Sequence, residues 1–570
     1  MPCGKAKNIS MEMMAGLSII AGDERLDLLR DETLVDIFRQ TVSLYPQKIA
    51  LIADDQSLTY QQLDIWSDQL ALLLRQAGCQ SGSAVVLYWP RGLALHVAIL
   101  AIVKAGCCYV PVDEEVPAER VLQIAAESDA SLIITNKELT GNWPVIAVPP
   151  MAPASGDLPI ITWPAPQPDD DAYIIYTSGS TGKPKGIPIQ HRQICHLIRA
   201  EQDILQITPQ DRVYQGFLVS FDMWGEEVWI SYLVGAVLVV ASALTAKAID
   251  ELPDFWRKNH ITVLHVVPSL LAIIDGAELP HIRVVNTGGE ACTPMVLEKW
   301  CSPLRRVINS YGPTETTVTA SMGLLHANQP IQLGKPLANY GMAVVDENLN
   351  PLPYGTAGEL VISGVGVSRG YIKRPELTAE KFLPLPATLS MLQGHRLYRT
   401  GDQALMDADG VVHFNGRVDD QVKLRGYRIE LGEIENLLQQ LPEIRAALVS
   451  VIGEEEGKQL VCALELNKGA LDSHHSSDWR AFLAERLPAY MIPAEFLVVA
   501  SLPRLASGKL DRKGVKNLFS PVQALPPPLE EYSPQQSVAE RLSTALKAVF
   551  PQQKIDLSQD FFTDLGGIHY

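Results

Sequence analysis

The sequence predicts an α/β protein: a large N-terminal core of mostly parallel sheets covered by helices, then a small α+β domain, then a helical fragment at the C-terminus. Three observations predict it. From about residue 33 to 415, short β-rich runs alternate with helical patterns, the signature of parallel strands joined by helical crossovers. From about residue 419 to 518 the order changes to a helix followed by two strands. Beyond that, "SPVQALPPPLEEYSPQQS" is rich in Pro, Ser and Gln and reads as a stiff, solvated linker over 519–535.

Taken in order, "KIALIADD", "AVVLYW", "SLIITN", "AYIIYT", "VLVVAS", "VLHVV" and "IRVVNTGG" read as strands of the core. "ALHVAILAIVKAG" reads as a buried helix ending at Gly106. In the small domain, "LGEIENLLQQL" is a helix, and "AALVSVIG" and "QLVCALEL" are strands. "VAERLSTALKAVF" has helical apolar spacing and opens the last segment, 536–570. Residues 1–32 read as an N-terminal extension, and no internal repeat is visible.

The chain has 570 residues, which suggests two or three domains. Apolar residues make up 47 % and charged ones 20 %, a globular and not a disordered composition. A net charge of −18 makes nucleic acid a poor general partner, so any phosphate must be held locally. Eight cysteines are scattered without metal-type spacing, several in apolar runs, and read as reduced core thiols of a cytoplasmic protein. "MEMMAGLSIIAG" is short and carries Glu12, so a signal peptide is not expected. No run reaches the ~18 apolar residues that span a bilayer.

"YTSGSTGKPKG" runs from Tyr176 to Gly186 and leaves the end of an apolar strand. Between Ser178 and Gly186 it holds three glycines, three hydroxyls and two lysines. Glycines let the backbone approach a ligand. Backbone N–H groups, the hydroxyls of Thr177, Ser178, Ser180 and Thr181, and Lys183 and Lys185 all favour polyphosphate. It is not the common NTPase loop, because Gly179 and Gly182 stand too close and Pro184 follows Lys183. Alone, it reads equally well as a flexible surface loop.

It does not stand alone. "LTYQQLD", "KAGCCYVPVD", "NSYGPTET", "GELVISGVGVSRGY", "YRTGD", "GRVDDQVKLRGYRIELGEIE" and "LPRLASGKLDR" follow one another along the chain. With them, about residues 33 to 518 resemble the ANL adenylate-forming superfamily. More narrowly, they are similar to the adenylation domains of nonribosomal peptide synthetases. The resemblance implies a core domain (33–418) that includes a β subdomain and a mobile C-terminal subdomain (419–518) hinged at Asp419. It implies ATP and Mg²⁺. A carboxylate attacks the α-phosphorus of ATP to give an acyl-adenylate and pyrophosphate, and a thiol then attacks the acyl carbon. Thr177, Ser178, Gly179, Ser180, Thr181, Gly182, Lys183, Lys185 and Gly186 would wrap the β- and γ-phosphates. Glu315 would ligate Mg²⁺, a hard cation that suits a carboxylate. Tyr311 would stack on adenine, and Thr316 would reach the α-phosphate. Asp402 would bind both ribose hydroxyls, with Arg417 adding a ribose or phosphate contact. Lys509 would be the catalytic lysine, bridging carboxylate and phosphate as charge builds. "QVKLRGYR" would belong to the thiolation face and Lys509 to the adenylation face.

Asp222 in "SFDMWGEE" matches the aspartate that grips the α-ammonium in amino-acid-activating members; its plain alternative is a helix N-cap. The pocket carried over from the family comprises Asp222, Met223, Glu226, His265, Asn286, Gly288, Ser310, Val318 and Thr319, with Lys509. Glu226 lies one helical turn after Asp222, so both carboxylates face the same way. A second buried carboxylate needs a cation, which a substrate's side-chain ammonium supplies. A pair ~4 Å apart is worth about 4 kcal/mol at an effective dielectric of 20, before desolvation. The pocket also resembles those for 2,4-diaminobutyrate, with ornithine and lysine nearby. The rival is that Glu226 turns away or pairs with His265 and the substrate is a neutral polar amino acid.

No condensation domain precedes the core, so a loading module, a stand-alone enzyme or the front of a polylysine-synthetase-like protein is expected. "DFFTDLGG" matches the stretch before the phosphopantetheine-bearing serine of a peptidyl carrier domain, but the chain ends Gly566-Gly567-Ile568-His569-Tyr570. His569 cannot carry the arm. A one-nucleotide frameshift from Gly-Gly-His-Ser-Leu accounts for this end, and such a truncated carrier would leave a chain that adenylates but does not load itself. Partners are then the amino acid, ATP, a carrier protein or downstream synthetase modules, and a small helper protein, around a monomer without nucleic acid or membrane. Two other readings stay open: an acyl- or aryl-acid CoA ligase, and a catalytically silent adenylate-binding scaffold.

Overall fold

The structure, a computed structural model, describes residues 16–151, 164–179, 184–419, 421–453, 457–467, 476–504 and 510–519. They divide into two compact units, with the boundary between Arg428 and Ile429 and with Gly179 grouped with the second. The sequence boundary at Asp419 therefore lies ten residues before the division by contacts at Ile429. The hairpin Gln421–Leu424 and Tyr427–Glu430 begins in the first unit.

Three sheets build the first unit. One has six strands in the order Val145–Ile146, Leu132–Thr135, Ala84–Tyr88, Cys108–Pro111, Asp171–Thr177 and Lys185–Gln190. Only its last pair is antiparallel. The largest has nine strands, and six neighbours are mutually parallel: Arg306–Tyr311, Val284–Gly288, Val263–Val266, Arg212–Gln215, Val237–Val240 and Ile49–Ala53. Each expected core strand is present. The third sheet is antiparallel throughout, running Ile19–Ala21, Tyr340–Val345, Gly358–Gly364, Arg396–Met406 and Phe382–Pro384, with Val412–Arg417 also on Arg396–Met406. It is the expected β subdomain. It also corrects the N-terminal reading: residues before 33 are not only an extension, because Ile19 pairs with Ala343 and Ala21 with Gly341 as a sheet edge.

Hydrophobic pattern explains where the helices lie. Leu93–Lys104 is apolar all round, and its residues from Leu95 on are buried. It stops where Gly106 takes φ +69°, as expected of a helix closing on glycine. Met223–Val234 is also apolar on every side except for Glu226 and Glu227, and it too is buried. Folding this helix therefore takes two carboxyls out of water, a cost that needs specific partners.

The second unit holds the sheet Ile444–Ile452, Gln459–Leu466 and Glu495–Val499, with helices Leu431–Leu438 and Ser476–Ala484. Leu448, Val461, Ala463, Val515 and Phe519 form its core, and Arg512 pairs with Glu435. This is the α+β order the sequence predicts. The linker 519–535 after Phe519 and the segment 536–570 lie outside the described residues, as does Cys3. The seven described cysteines are free, five of them buried. Among the described residues no helix is long and apolar enough to cross a membrane.

Candidate functional site

The parallel strands of the nine-stranded sheet carry their polar residues at one end. His265 pairs in register with Asn286, and Gly288 with Ser310, at the carboxyl ends of three adjacent strands. In open α/β sheets ligands bind beyond those ends. Gly288 has to be glycine, because a Cβ there would lie 2.5 Å from Ser310 Oγ. Helix Met223–Val234 brings Glu226 to the same place. Glu226 is fully buried, accepts from Asn286 Nδ2 at 3.1 Å and from the Thr319 hydroxyl, and lies 3.8 Å from His265 Nδ1. It does not turn away from the pocket. Thr317 and Val318 both adopt left-handed backbone (φ 63° and 62°), unusual for β-branched residues, and the turn they make sets Thr319 against Glu226.

Asp222 precedes that helix but makes no side-chain cap; its backbone is already helical, φ −65°, ψ −30°. Its carboxylate accepts instead from the Thr314 hydroxyl at 2.5 Å. Burial, with a further contribution from the charge of Glu226, pushes the Asp222 carboxyl up to about 6. The N-cap alternative therefore does not hold, and the Asp222 and Glu226 carboxyls stand near enough for the charge of one to act on the other, with Met223 and Val318 buried.

A second cluster surrounds Glu315, fully buried in the turn Thr314–Thr316. Arg428 Nη1 lies 2.8 Å from Oε2, Tyr371 donates its hydroxyl to Oε1 at 2.8 Å, and Lys185 Nζ is 3.5 Å from Oε1. Burial opposes ionisation, but Arg428 and then Lys185 outweigh it and hold the carboxyl well below the usual carboxylate range. Thr316 is buried, and its hydroxyl donates to Pro313 O at 3.0 Å. Of the glycine-rich loop, Thr177 ends its strand, Ser178 Oγ donates to Arg428 O at 2.8 Å, and Gly179 N–H donates to Glu433 at 3.3 Å. Gly186 lies under the Tyr176 ring, where a Cβ would be 2.8 Å from Cζ. Ser180, Thr181, Gly182 and Lys183 lie outside the described residues, as does Lys509.

The third cluster joins two strands of the antiparallel sheet. Asp402 pairs in register with Arg417, and their side chains form an ion pair. Tyr311 donates its hydroxyl to the other Asp402 oxygen. Arg417 is held on its far side by Asp419, Nε and Nη2 each 2.7 Å from a carboxylate oxygen. Lys423 Nζ lies 5.6 Å from the centre of the Tyr311 ring. The same hairpin donates Gly426 N–H to Glu290 Oε1 at 2.6 Å and sets Tyr427 edge-on to Phe221, next to Asp222. The motif "QVKLRGYR" is thus laid onto all three clusters.

For a divalent cation, the donor chemistry fits one mode. Glu315 is a buried hard-oxygen donor beside the strand that leads out of the glycine-rich loop. Mg²⁺ is commonly held by one or two carboxylates with the rest supplied by phosphates and water. Among the described residues no group of three or more His, Cys, Asp or Glu could hold a metal. Arg428 and a cation at Glu315 would compete for the same oxygen.

Three residues here were not singled out in the sequence. Arg428 and Lys423 lie inside a quoted motif, but the sequence does not say which side chains a hairpin delivers. Glu201 is fully buried on helix His191–Leu205. Its signal was available: Ile194, Leu197, Ile198 and Leu205 form an apolar stripe, and Glu201 occupies one of its positions.

Comparison with known proteins gives consistent matches. Residues 38–372 match the family model for an AMP-binding enzyme, and residues 433–509 that for the AMP-binding enzyme C-terminal domain. The chain is 41 % identical over 553 residues to a delta-poly-L-ornithine synthetase of Acinetobacter baumannii, covering 96 % of this chain and 41 % of that protein. It is 37 % identical over 513 residues to the phosphinothricin tripeptide synthetase PhsC of Streptomyces viridochromogenes, covering 88 % and 45 %. The chain therefore spans less than half the length of these relatives. Among solved structures, a holo nonribosomal peptide synthetase protein containing adenylation and PCP domains aligns with TM-score 0.77 and 27 % identity over 92 % of this chain and 88 % of that one. An artificially fused adenylation–PCP di-domain from Klebsiella oxytoca aligns with TM-score 0.72 and 27 % identity over 82 % and 94 %.

Proposed function

The chain belongs to the AMP-binding enzyme family, and from that premise we propose that it is an amino-acid adenylating ligase acting on a basic diamino acid. The observation that carries this reading is the pair Asp222 and Glu226. Asp222 faces the pocket without capping its helix, and Glu226 is buried one turn further on. One carboxylate is suited to an α-ammonium, the other to a side-chain ammonium. The likeness to a relative named for poly-L-ornithine supports a substrate of that class, with 2,4-diaminobutyrate, ornithine and lysine as the candidates.

In this reading the loop from Ser178 to Gly186 holds the β- and γ-phosphates, with Lys185 beside Glu315 at its base. Glu315 would hold Mg²⁺, which supplies charge neutralisation at the phosphates when bound. Asp402, backed by Arg417, takes the ribose; Tyr311 flanks the adenine; Thr316 and Lys509 act at the α-phosphate. The substrate carboxylate oxygen attacks the α-phosphorus and pyrophosphate leaves. A phosphopantetheine thiol of a carrier then attacks the acyl carbon and AMP leaves. The hairpin carrying Lys423 and Arg428 belongs to this second step, and Asp419, locked onto Arg417, is the hinge between the two arrangements. Residues 536–570 are read as the start of a peptidyl carrier domain.

The test is amino-acid-dependent ATP–pyrophosphate exchange over 2,4-diaminobutyrate, 2,3-diaminopropionate, ornithine, lysine, serine and asparagine. Exchange highest with a diamino acid is expected. The Glu226→Gln variant should lose about 10- to 100-fold in kcat/KM for that substrate and gain relative activity on neutral ones. Exchange with neutral amino acids alone would keep the ligase and discard the substrate. CoA-dependent thioester formation with no amino-acid-dependent exchange would replace the reading by an acyl- or aryl-acid CoA ligase.

A further inference from the structure

Behind Glu226 lies a carboxyl that the proposed reaction does not use. Glu201 sits on helix His191–Leu205, which packs against helix Met223–Val234. Its side chain is fully buried with Glu226 and Thr319 as its polar neighbours, and neither of its oxygens has a donor at good hydrogen-bond geometry. A buried carboxyl without donors is costly, and it is not an accident of surface placement.

The surroundings define what is missing. Tyr340 approaches Glu201 from the antiparallel sheet, but its hydroxyl donates to Thr316 O at 3.0 Å. Thr319 gives its hydroxyl to Glu226. Beyond Glu226 stand His265 and Asp222. On its own helix, Arg199 pairs with Glu32, and His196 bonds Asn339. No cation is paired with Glu201 among the described residues. Two further polar atoms of the same pocket, Asn286 Oδ1 and His265 Nε2, are buried without partners. Three acceptor oxygens, two from Glu201 and one from Asn286, thus adjoin a carboxylate and lack a donor. A primary ammonium supplies three N–H donors and one positive charge.

A buried carboxyl next to another carboxylate keeps its proton more tightly. Burial and the charge of Glu226 push the Glu201 carboxyl well above the usual carboxylate range. An ammonium carries the charge of that proton, so it can replace it without changing the net charge of the pocket.

We propose that Glu201 is a second specificity residue: a substrate's side-chain ammonium sits between Glu201 and Glu226 and supplies the donors that the Glu201 oxygens and Asn286 Oδ1 lack. The proposal rests on the amino-acid-activating reading of the same pocket and deepens it. It assigns the deep end of the pocket to the two carboxyls and Asn286 Oδ1, so a neutral chain of equal length would leave the Glu201 carboxyl and Asn286 Oδ1 short of donors.

Two measurements test it on the intact chain. Steady-state exchange compares wild type and Glu201→Gln with ornithine, 2,4-diaminobutyrate and their uncharged counterpart norvaline. The variant is expected to raise KM for the best diamino acid at least tenfold, with the loss in KM rather than kcat. The diamino acid to norvaline ratio of kcat/KM should fall by at least the same factor. Calorimetric titration of the wild type in two buffers of different ionisation enthalpy should show about one proton released per diamino acid bound, and none with norvaline. A structural role for Glu201 would not move the proton count. No proton release from the wild type overturns the proposal even if Glu201→Gln does not fold, as does an unchanged KM in a folded variant. A wild type that exchanges diamino acids while Glu201→Gln matches it removes Glu201 alone; a wild type restricted to neutral amino acids removes the substrate reading and this proposal together.

Discussion

Asp222→Asn is expected to lose amino-acid-dependent exchange while making the ligand-free protein more stable at alkaline pH. The loss follows from charge. A buried carboxylate that meets an ammonium and is then neutralised costs about 2–5 kcal/mol, or roughly 30- to 5000-fold in kcat/KM. The gain follows from the same carboxyl in the empty pocket. Its hydrogen bond from Thr314 is not enough to offset burial and the neighbouring Glu226, so its pKa rises from 3.8 to about 6. An acid with a raised folded pKa binds more protons folded than unfolded between those values. Stability therefore falls as pH rises from about 4 to about 6 and stays lower above. With discount for partial exposure this amounts to about 1–2 kcal/mol. Asparagine removes that limb. Thermal melts of the two proteins should converge below pH 4 and separate above pH 6, with the variant the higher. The same titration predicts that the wild-type KM for the amino acid rises as pH drops below about 6. Exchange by Asp222→Asn within threefold of wild type would take the α-ammonium role from this residue.

Much of this site was legible in the sequence, and the reason is local. Asp222 and Glu226 are one helical turn apart, which spacing reads directly; Asp402 and Arg417, singled out by the family resemblance, face each other across one antiparallel pairing. Where the sequence reading failed, the determining contacts are long-range. A three-residue strand such as Ile19–Ala21 has no periodicity to read, and only its pairing with residues 341–343 makes it part of a sheet. The apolar stripe of its helix marks Glu201 as inward-facing, but only the packing of helix Met223–Val234 shows that it meets another carboxyl there. Arg428 and Glu315 are 113 residues apart, and nothing in either segment announces their ion pair. The cap reading of Asp222 failed for a geometric reason: a cap needs non-helical backbone at that residue, and here the helix geometry has already begun.

Glu315 is where two steps of the proposed reaction compete, and the second large effect is expected there. Its carboxylate is saturated by Arg428, Lys185 and Tyr371. Removing the charge with Glu315→Gln takes from Arg428 and Lys185 the carboxylate that both face, at a cost of about 3–5 kcal/mol near neutral pH. The sign of the pH dependence is opposite to that of Asp222. Glu315 has a depressed folded pKa, so its contribution is present above the unfolded value, 4.5, and is lost as pH falls below it. The melting gap between wild type and Glu315→Gln should be widest above pH 5 and narrow on acidification. Exchange should fall at least 100-fold if Glu315 is the carboxylate that holds Mg²⁺, as proposed. Arg428→Ala separates the two uses of the site. If Arg428 occupies Glu315 only when the hairpin serves thioester formation, its removal leaves Glu315 open to Mg²⁺. Exchange then stays within tenfold of wild type, while aminoacyl transfer to a phosphopantetheinylated carrier supplied in trans drops by more than tenfold. An Arg428→Ala protein as inactive in exchange as Glu315→Gln would mean that the guanidinium serves adenylation itself. The hairpin would then have to be assigned to the first step and not the second.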